Sequence, residues 1–72
     1  MLKNKTVRLN LRISQEQQTK LERLTDVSNS SSMTDTVRRA LAVYESLWKA
    51  KKKGQQIIVR DRNGTETDLM LL

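Results

Sequence analysis

Apolar and polar residues alternate strictly near the start of the chain. Val7, Leu9, Leu11 and Ile13 are separated by Arg8, Asn10 and Arg12, with Thr6 and Ser14 at the two ends. A period of two predicts a β-strand over 6–14 with one apolar and one polar face. Nothing in the next forty residues reads as a strand that could pair with it.

From Ser14 the pattern becomes helical. Ser14 is a good N-cap and Gln17 stands at the reciprocal capping-box position. A helix is predicted from there to about Thr25 or Val27, with Leu21 and Leu24 on one face. It is short and sparsely apolar, so its helicity depends on tertiary packing. V-S-N-S-S-S follows, a run whose side chains compete for the backbone and favour a turn. Ser32 then caps a second helix, with Asp35 as its acidic capping-box partner. Val37, Leu41, Tyr44 and Trp48 follow at spacings of four, three and four, widened by Ala40 and Leu47. Lys49, Lys51, Lys52 and Lys53 suit the negative end of the helix dipole, and Gly54 is a natural residue to end it.

Beyond Gly54 the period returns to two. Q-Q-I-I-V-R-D-R, then N-G, then T-E-T-D-L-M-L-L predicts a β-hairpin with a type I′ turn at Asn63-Gly64. A two-residue loop would set Arg62 opposite Thr65, Asp61 opposite Glu66, Ile58 opposite Leu69 and Ile57 opposite Met70. Both faces would then be apolar near the open end and need cover. The chain therefore divides into 1–53, with strand and helices, and a C-terminal hairpin over 54–72.

Size and composition sharpen the problem of the unpartnered strand. Seventy-two residues make one small domain, of which 36% are apolar, with one Tyr, one Trp and no Phe. Chains this short usually need a disulfide, a metal or an oligomer to hold a core. The absence of Cys and His removes disulfides and zinc-type sites, leaving oligomerisation. No cofactor and no metal is expected. There is also no apolar run of signal-peptide or membrane-span length, so a soluble cytoplasmic protein is expected.

The net charge of +6 is unevenly spread, at +4 over 1–14, −1 over 15–32, +4 over 33–54 and −1 over 55–72. Clustered basic charge on the strand and second helix points to a polyanion such as nucleic acid, although a plainly soluble basic surface would look the same by charge alone. Catalysis is not expected, because there is no His, Cys, glycine-rich phosphate loop or convincing carboxylate pair.

R-L-N-L-R-I-S at 8–14 and S-M-T-D-T-V-R-R-A-L at 32–41 resemble the ribbon-helix-helix family of DNA-binding proteins, the Arc, MetJ and CopG type. Thr34 and Asp35 stand where the family's stretch has Ser and Glu. Asn29 and Ser30 occupy the turn where the family usually has glycine. The resemblance covers roughly residues 5–50 and implies a mainly α fold with a short β-ribbon, an intertwined homodimer whose two strands pair antiparallel. The hairpin lies outside it. On this resemblance the dimer core comprises Val7, Leu9, Leu11, Ile13, Leu21, Leu24, Val37, Leu41, Tyr44 and Trp48. A role as a transcriptional repressor in a prokaryotic, plasmid or phage setting is implied.

A two-stranded ribbon fits the major groove of B-DNA, where Arg pairs with guanine and Asn with adenine. Arg8, Asn10 and Arg12 are the expected base contacts; the plainer reading is that they solvate an exposed strand, in which Asn is unusual. Ser32, Met33 and Thr34 at the second helix's N-terminus offer N–H groups and hydroxyls to a phosphate, with Lys5 and Thr6 as flanking contacts. An ordinary helix cap and a frayed basic terminus are the plainer readings there. Ile57, Ile58, Val59, Leu69, Met70 and Leu71 form a candidate surface for tetramer assembly or for a partner protein, including a toxin in an antitoxin role. A third reading pairs strand 6–14 with the hairpin of its own chain, giving a monomeric α+β domain that does not bind DNA.

Overall fold

The structure, a computed structural model, describes residues 6–71. Lys3, Lys5 and Leu72 lie outside the described residues. In order come α1 (Gln15–Val27), α2 (Met33–Lys52), β1 (Ile58–Arg60) and β2 (Glu66–Asp68). The molecule is mainly helical, with two helices and one two-stranded antiparallel hairpin. Among the described residues no helix is long and apolar enough to cross a membrane.

Local chemistry explains the helix ends. The Gln17 N–H donates to Ser14 Oγ at 3.1 Å, which starts α1 as expected. At its other end Asn29 adopts φ 54°, the left-handed conformation that reverses the chain. The Ser30 N–H then reaches the Thr25 carbonyl at 3.1 Å, and the Asn29 N–H reaches Asp26 at 3.2 Å. Those two bonds satisfy carbonyls that the helix leaves open. Asn can therefore do here what glycine commonly does, because its short polar side chain tolerates this region. Asn29→Gly is expected to be neutral or stabilising, while Asn29→Val should cost about 1–2 kcal/mol. Urea unfolding of the two variants checks both signs.

In α2 the Asp35 N–H donates to Ser32 Oγ at 3.1 Å. The expected reciprocal half of the capping box is absent. Asp35 Oδ2 accepts from the Ser31 N–H at 3.3 Å, not from Ser32, and the carboxylate turns toward Arg38 and Arg39. Two guanidinium groups on one face of the helix thus draw it off the cap residue. The far end of α2 closes as expected, with Gly54 at φ 82° and the Gln55 N–H bonded to the Ala50 carbonyl at 3.0 Å.

The two helices pack on each other, and neither lies against β1 or β2. Their tightest contact is polar. Among the described residues only Asp35 and Thr36 are buried, at 6% and 7% exposure, and no apolar side chain is. Thr25 Oγ1 and Thr36 Oγ1 lie 2.7 Å apart and bridge α1 to α2. Thr25 also donates to the Leu21 carbonyl at 2.8 Å, and Thr36 to Ser32 at 3.2 Å. Two hydroxyl protons serve three links, so two are donated at any moment, and either arrangement leaves both hydroxyls partnered.

The chain exposes 7289 Å². A folded monomer of this mass exposes roughly 4,600 Å². Leu24, Leu41, Val43, Tyr44 and Trp48 are among the large apolar side chains left exposed.

The hairpin differs from the sequence expectation by one residue of register. Ile58 faces Asp68, Val59 faces Thr67 and Arg60 faces Glu66. The Asp61 N–H donates to the Thr65 carbonyl at 2.8 Å and the Gly64 N–H to Asp61 at 3.0 Å. The loop thus has three residues, Arg62-Asn63-Gly64. Of these only Gly64 has positive φ, at 90°, so the turn is not type I′. This is the form in which a type I turn ends in one left-handed residue. Asn63 Oδ1 instead accepts the Thr65 N–H at 3.1 Å. The slip moves one strand's side chains to the opposite face. Ile57, Val59, Thr67 and Leu69 now share one face, while the other carries an Arg60–Glu66 ion pair at 2.7 Å and Asp68. Ile58, 44% exposed, lies on that second face opposite Asp68, so near the open end both faces keep an apolar residue, as expected.

Residues 6–14 lie outside helix and ladder, and the sheet of the described chain contains β1 and β2 alone. The expected pairing of strand 6–14 with the hairpin of its own chain is not formed.

Candidate nucleic-acid interface

Segment 6–14 runs beside the start of α2. Val7, Leu9 and Leu11 line a shallow trough with Leu21, Met33 and Val37, and Thr6, Arg8 and Thr34 border it. Yet Val7, Leu9, Leu11 and Ile13 remain 81%, 75%, 64% and 47% exposed. No backbone hydrogen bond is made by residues 6–13 with a described residue. The amides and carbonyls of this segment are thus open to a partner.

Arg8, Asn10 and Arg12 are exposed, and none forms an ion pair or hydrogen bond with a described residue. Two free guanidinium groups and an amide can donate and accept along base edges.

At the start of α2, Met33 and Thr34 are exposed and their N–H groups have no acceptor among the described residues. Ser32 Oγ is occupied by the Asp35 N–H. The charge at this end is set by a cluster that sequence reasoning missed. The Asp35 carboxylate is paired with Arg38 and, at 3.2 Å, with Arg39 Nε. Arg39 Nη1 also donates to the Ser28 carbonyl at 3.3 Å, tying α2 to the turn. The two arginines are largely exposed, so one buried negative charge is outweighed by two positive ones. The sequence signal was available, as acid followed by base at i+3 and i+4 on a helix.

The Ser31 N–H is the largest influence holding the Asp35 carboxyl below its ordinary value of 3.8. Burial opposes it, and Arg38 and Arg39 lower the carboxyl further. Because the folded value is depressed, this group's stabilisation is present above 3.8 and is lost as pH falls through the folded value. Asp35→Asn is expected to be less stable than the parent at neutral pH and to lose less on acidification. Urea midpoints from about pH 5 to pH 2.5 read that difference.

The remaining apolar residues of the sequence stripe form a second feature. Leu21, Leu24, Val37, Leu41, Tyr44 and Leu47 line an open groove of about 590 Å³ between the helices. Trp48 meets Tyr44 edge to face, with ring centroids 6.3 Å apart. At the far end of α2 only Lys49 of the lysine group finds an acid, Glu45 at 4.0 Å. Comparison with protein-family models, curated proteins and solved structures returned no match.

Proposed function

We propose that two copies of the chain pair as a ribbon-helix-helix dimer that reads double-stranded DNA, as a regulator of transcription. The observation that carries this is segment 6–14, where four apolar side chains and an unpaired backbone edge lie open beside three unpartnered polar side chains. A second copy of the same segment, antiparallel across a two-fold axis, satisfies the backbone and covers the leucines. The open helical groove is then filled by the partner's helices, which supplies the core the single chain lacks.

In that arrangement Arg8, Asn10 and Arg12 appear twice on one face of a two-stranded ribbon, sized for the major groove. Met33 and Thr34 N–H groups, backed by Arg38 and Arg39, bind flanking phosphates. Thr6 and Lys5 extend the same contacts. Such a dimer acts in the cytoplasm, where the duplex is.

Selection of bound sites from random duplexes, at low and at raised salt, tests this reading. A defined sequence should be enriched at both. Steep loss with salt and no enrichment would reduce the activity to phosphate binding and sink the base-reading claim.

A further inference from the structure

The turn of the hairpin carries a chemistry that the proposed dimer does not use. Four asparagines occur in the chain, followed by Lys5, Leu11, Ser30 and Gly64. An asparagine cyclises when the next residue's backbone nitrogen reaches its side-chain carbonyl carbon. A side chain on that next residue crowds the approach. Asn63 alone is followed by glycine, whose backbone admits close approach. Asn63 is exposed at the tip of the hairpin. Beyond its chain neighbours, no atom lies within 4 Å of where a Cβ on Gly64 would stand, so the turn is open there.

The turn also holds the reacting amide ready. The Thr65 N–H donates to Asn63 Oδ1 at 3.1 Å, which folds the side chain back across Gly64. Attack at Cγ sends negative charge onto that same oxygen, where a backbone donor already stands. One bond opposes the step. The Gly64 N–H donates to the Asp61 carbonyl at 3.0 Å and must let go. Neither helix lies against β1 or β2, and a two-stranded hairpin without cover loosens readily. Surrendering one neutral bond, with that loosening, slows the attack by about 5- to 30-fold.

We propose that Asn63 is a site of self-modification in the folded chain. The Gly64 nitrogen gives its proton to solvent hydroxide and bonds to Asn63 Cγ. The bond from Cγ to the side-chain nitrogen breaks, and that nitrogen takes a proton from water and leaves as ammonia. Water then opens the five-membered imide at one carbonyl or the other, leaving aspartate or isoaspartate. Nothing is oxidised or reduced, and water is the one co-reactant. Aspartate keeps an acceptor for the Thr65 N–H and adds a negative charge to the turn. Isoaspartate routes the backbone through Cβ and adds a main-chain atom to the three-residue loop. That breaks the 2.8 Å bond from the Asp61 N–H to the Thr65 carbonyl that closes it.

Two other asparagines are comparators within the same molecule. Asn10 is exposed and without a partner among the described residues, but is followed by Leu11. Asn29 is followed by Ser30, whose N–H is held by the Thr25 carbonyl at the end of α1.

The test follows mass, released ammonia and fragment sequences of the full-length chain at mildly alkaline pH, folded and in urea. In the folded chain Asn63 is expected to change at least ~10-fold faster than Asn10 or Asn29. Its rate should rise with pH, isoaspartate should be among the products, and folding should slow it by no more than about 30-fold. Asn63→Gln, whose ring closure would have six members, should remove the fast phase of ammonia release while helical content stays unchanged.

Equal rates at the three asparagines overturn the proposal. Slowing by folding beyond that range does so too, because the turn is then a shield. A product without isoaspartate would mean direct hydrolysis of the amide and overturns the cyclisation. The readout involves no nucleic acid, so its outcome is independent of the DNA-binding reading.

Discussion

Replacing Arg8, Asn10 and Arg12 together by Ala is expected to lower affinity for the selected duplex at least ~10³-fold while leaving non-specific binding in place. Each bidentate base contact contributes about 1–3 kcal/mol of discrimination, and a dimer makes each contact twice. Specific sites typically exceed non-specific ones by about 4–10 kcal/mol, which bounds what the triple variant can lose. The three side chains have no partner among the described residues, so unfolding should change by less than about 0.5 kcal/mol per substitution. Competition binding with the selected site and a scrambled duplex, beside a urea melt, separates lost reading from lost folding. A triple variant that still protects the same site would refute the ribbon assignment.

Leu41→Asp distinguishes the paired chain from a solitary one even more sharply. In the single chain Leu41 is 64% exposed, and a carboxylate there would be a surface change of little consequence. In the proposed dimer the same position lies in the shared core. Each buried charge then costs several kcal/mol, twice per dimer, which exceeds most of the stability of so small an assembly. The variant is expected to be unfolded by circular dichroism at every concentration. The parent's unfolding should depend on concentration, each tenfold increase adding about 1.4 kcal/mol to the apparent stability of the dimer. A melting curve indifferent to concentration, with Leu41→Asp folded, would refute the pairing.

The helical part of this structure was legible because its signals are local. Ser14, Ser32, Asn29 and Gly54 each act within one turn of chain, and all four stand at the ends where the sequence sets them. The hairpin was legible as an element and wrong in register. Asn-Gly suits a two-residue loop, but it also closes a three-residue one when Asn63 stays right-handed and binds the Thr65 N–H through its side chain. One residue of difference decides which strand face is apolar, and composition cannot resolve it.

In the candidate site the exposure of Arg8, Asn10 and Arg12 matches the alternation, although 6–14 forms no strand in the single chain, whereas the Asp35–Arg38–Arg39 cluster and the Thr25–Thr36 bridge were not visible in the sequence. Thr25 falls four residues after Leu21, and Thr36 precedes Val37. Their hydroxyls look like ordinary helix surface until the two helices are brought together. Which side chain fills a small gap is a property of the packing, not of either helix alone.

That bridge has a practical consequence. Two neutral hydroxyls, 2.7 Å apart, carry no net charge to be screened and do not titrate in the working range. This bridge between α1 and α2 is therefore unaffected by ionic strength. Phosphate binding weakens as counterions return to the duplex. Concentrated salt should release nucleic acid from the protein while its helices keep their mutual placement, and dilution should restore binding without any refolding step.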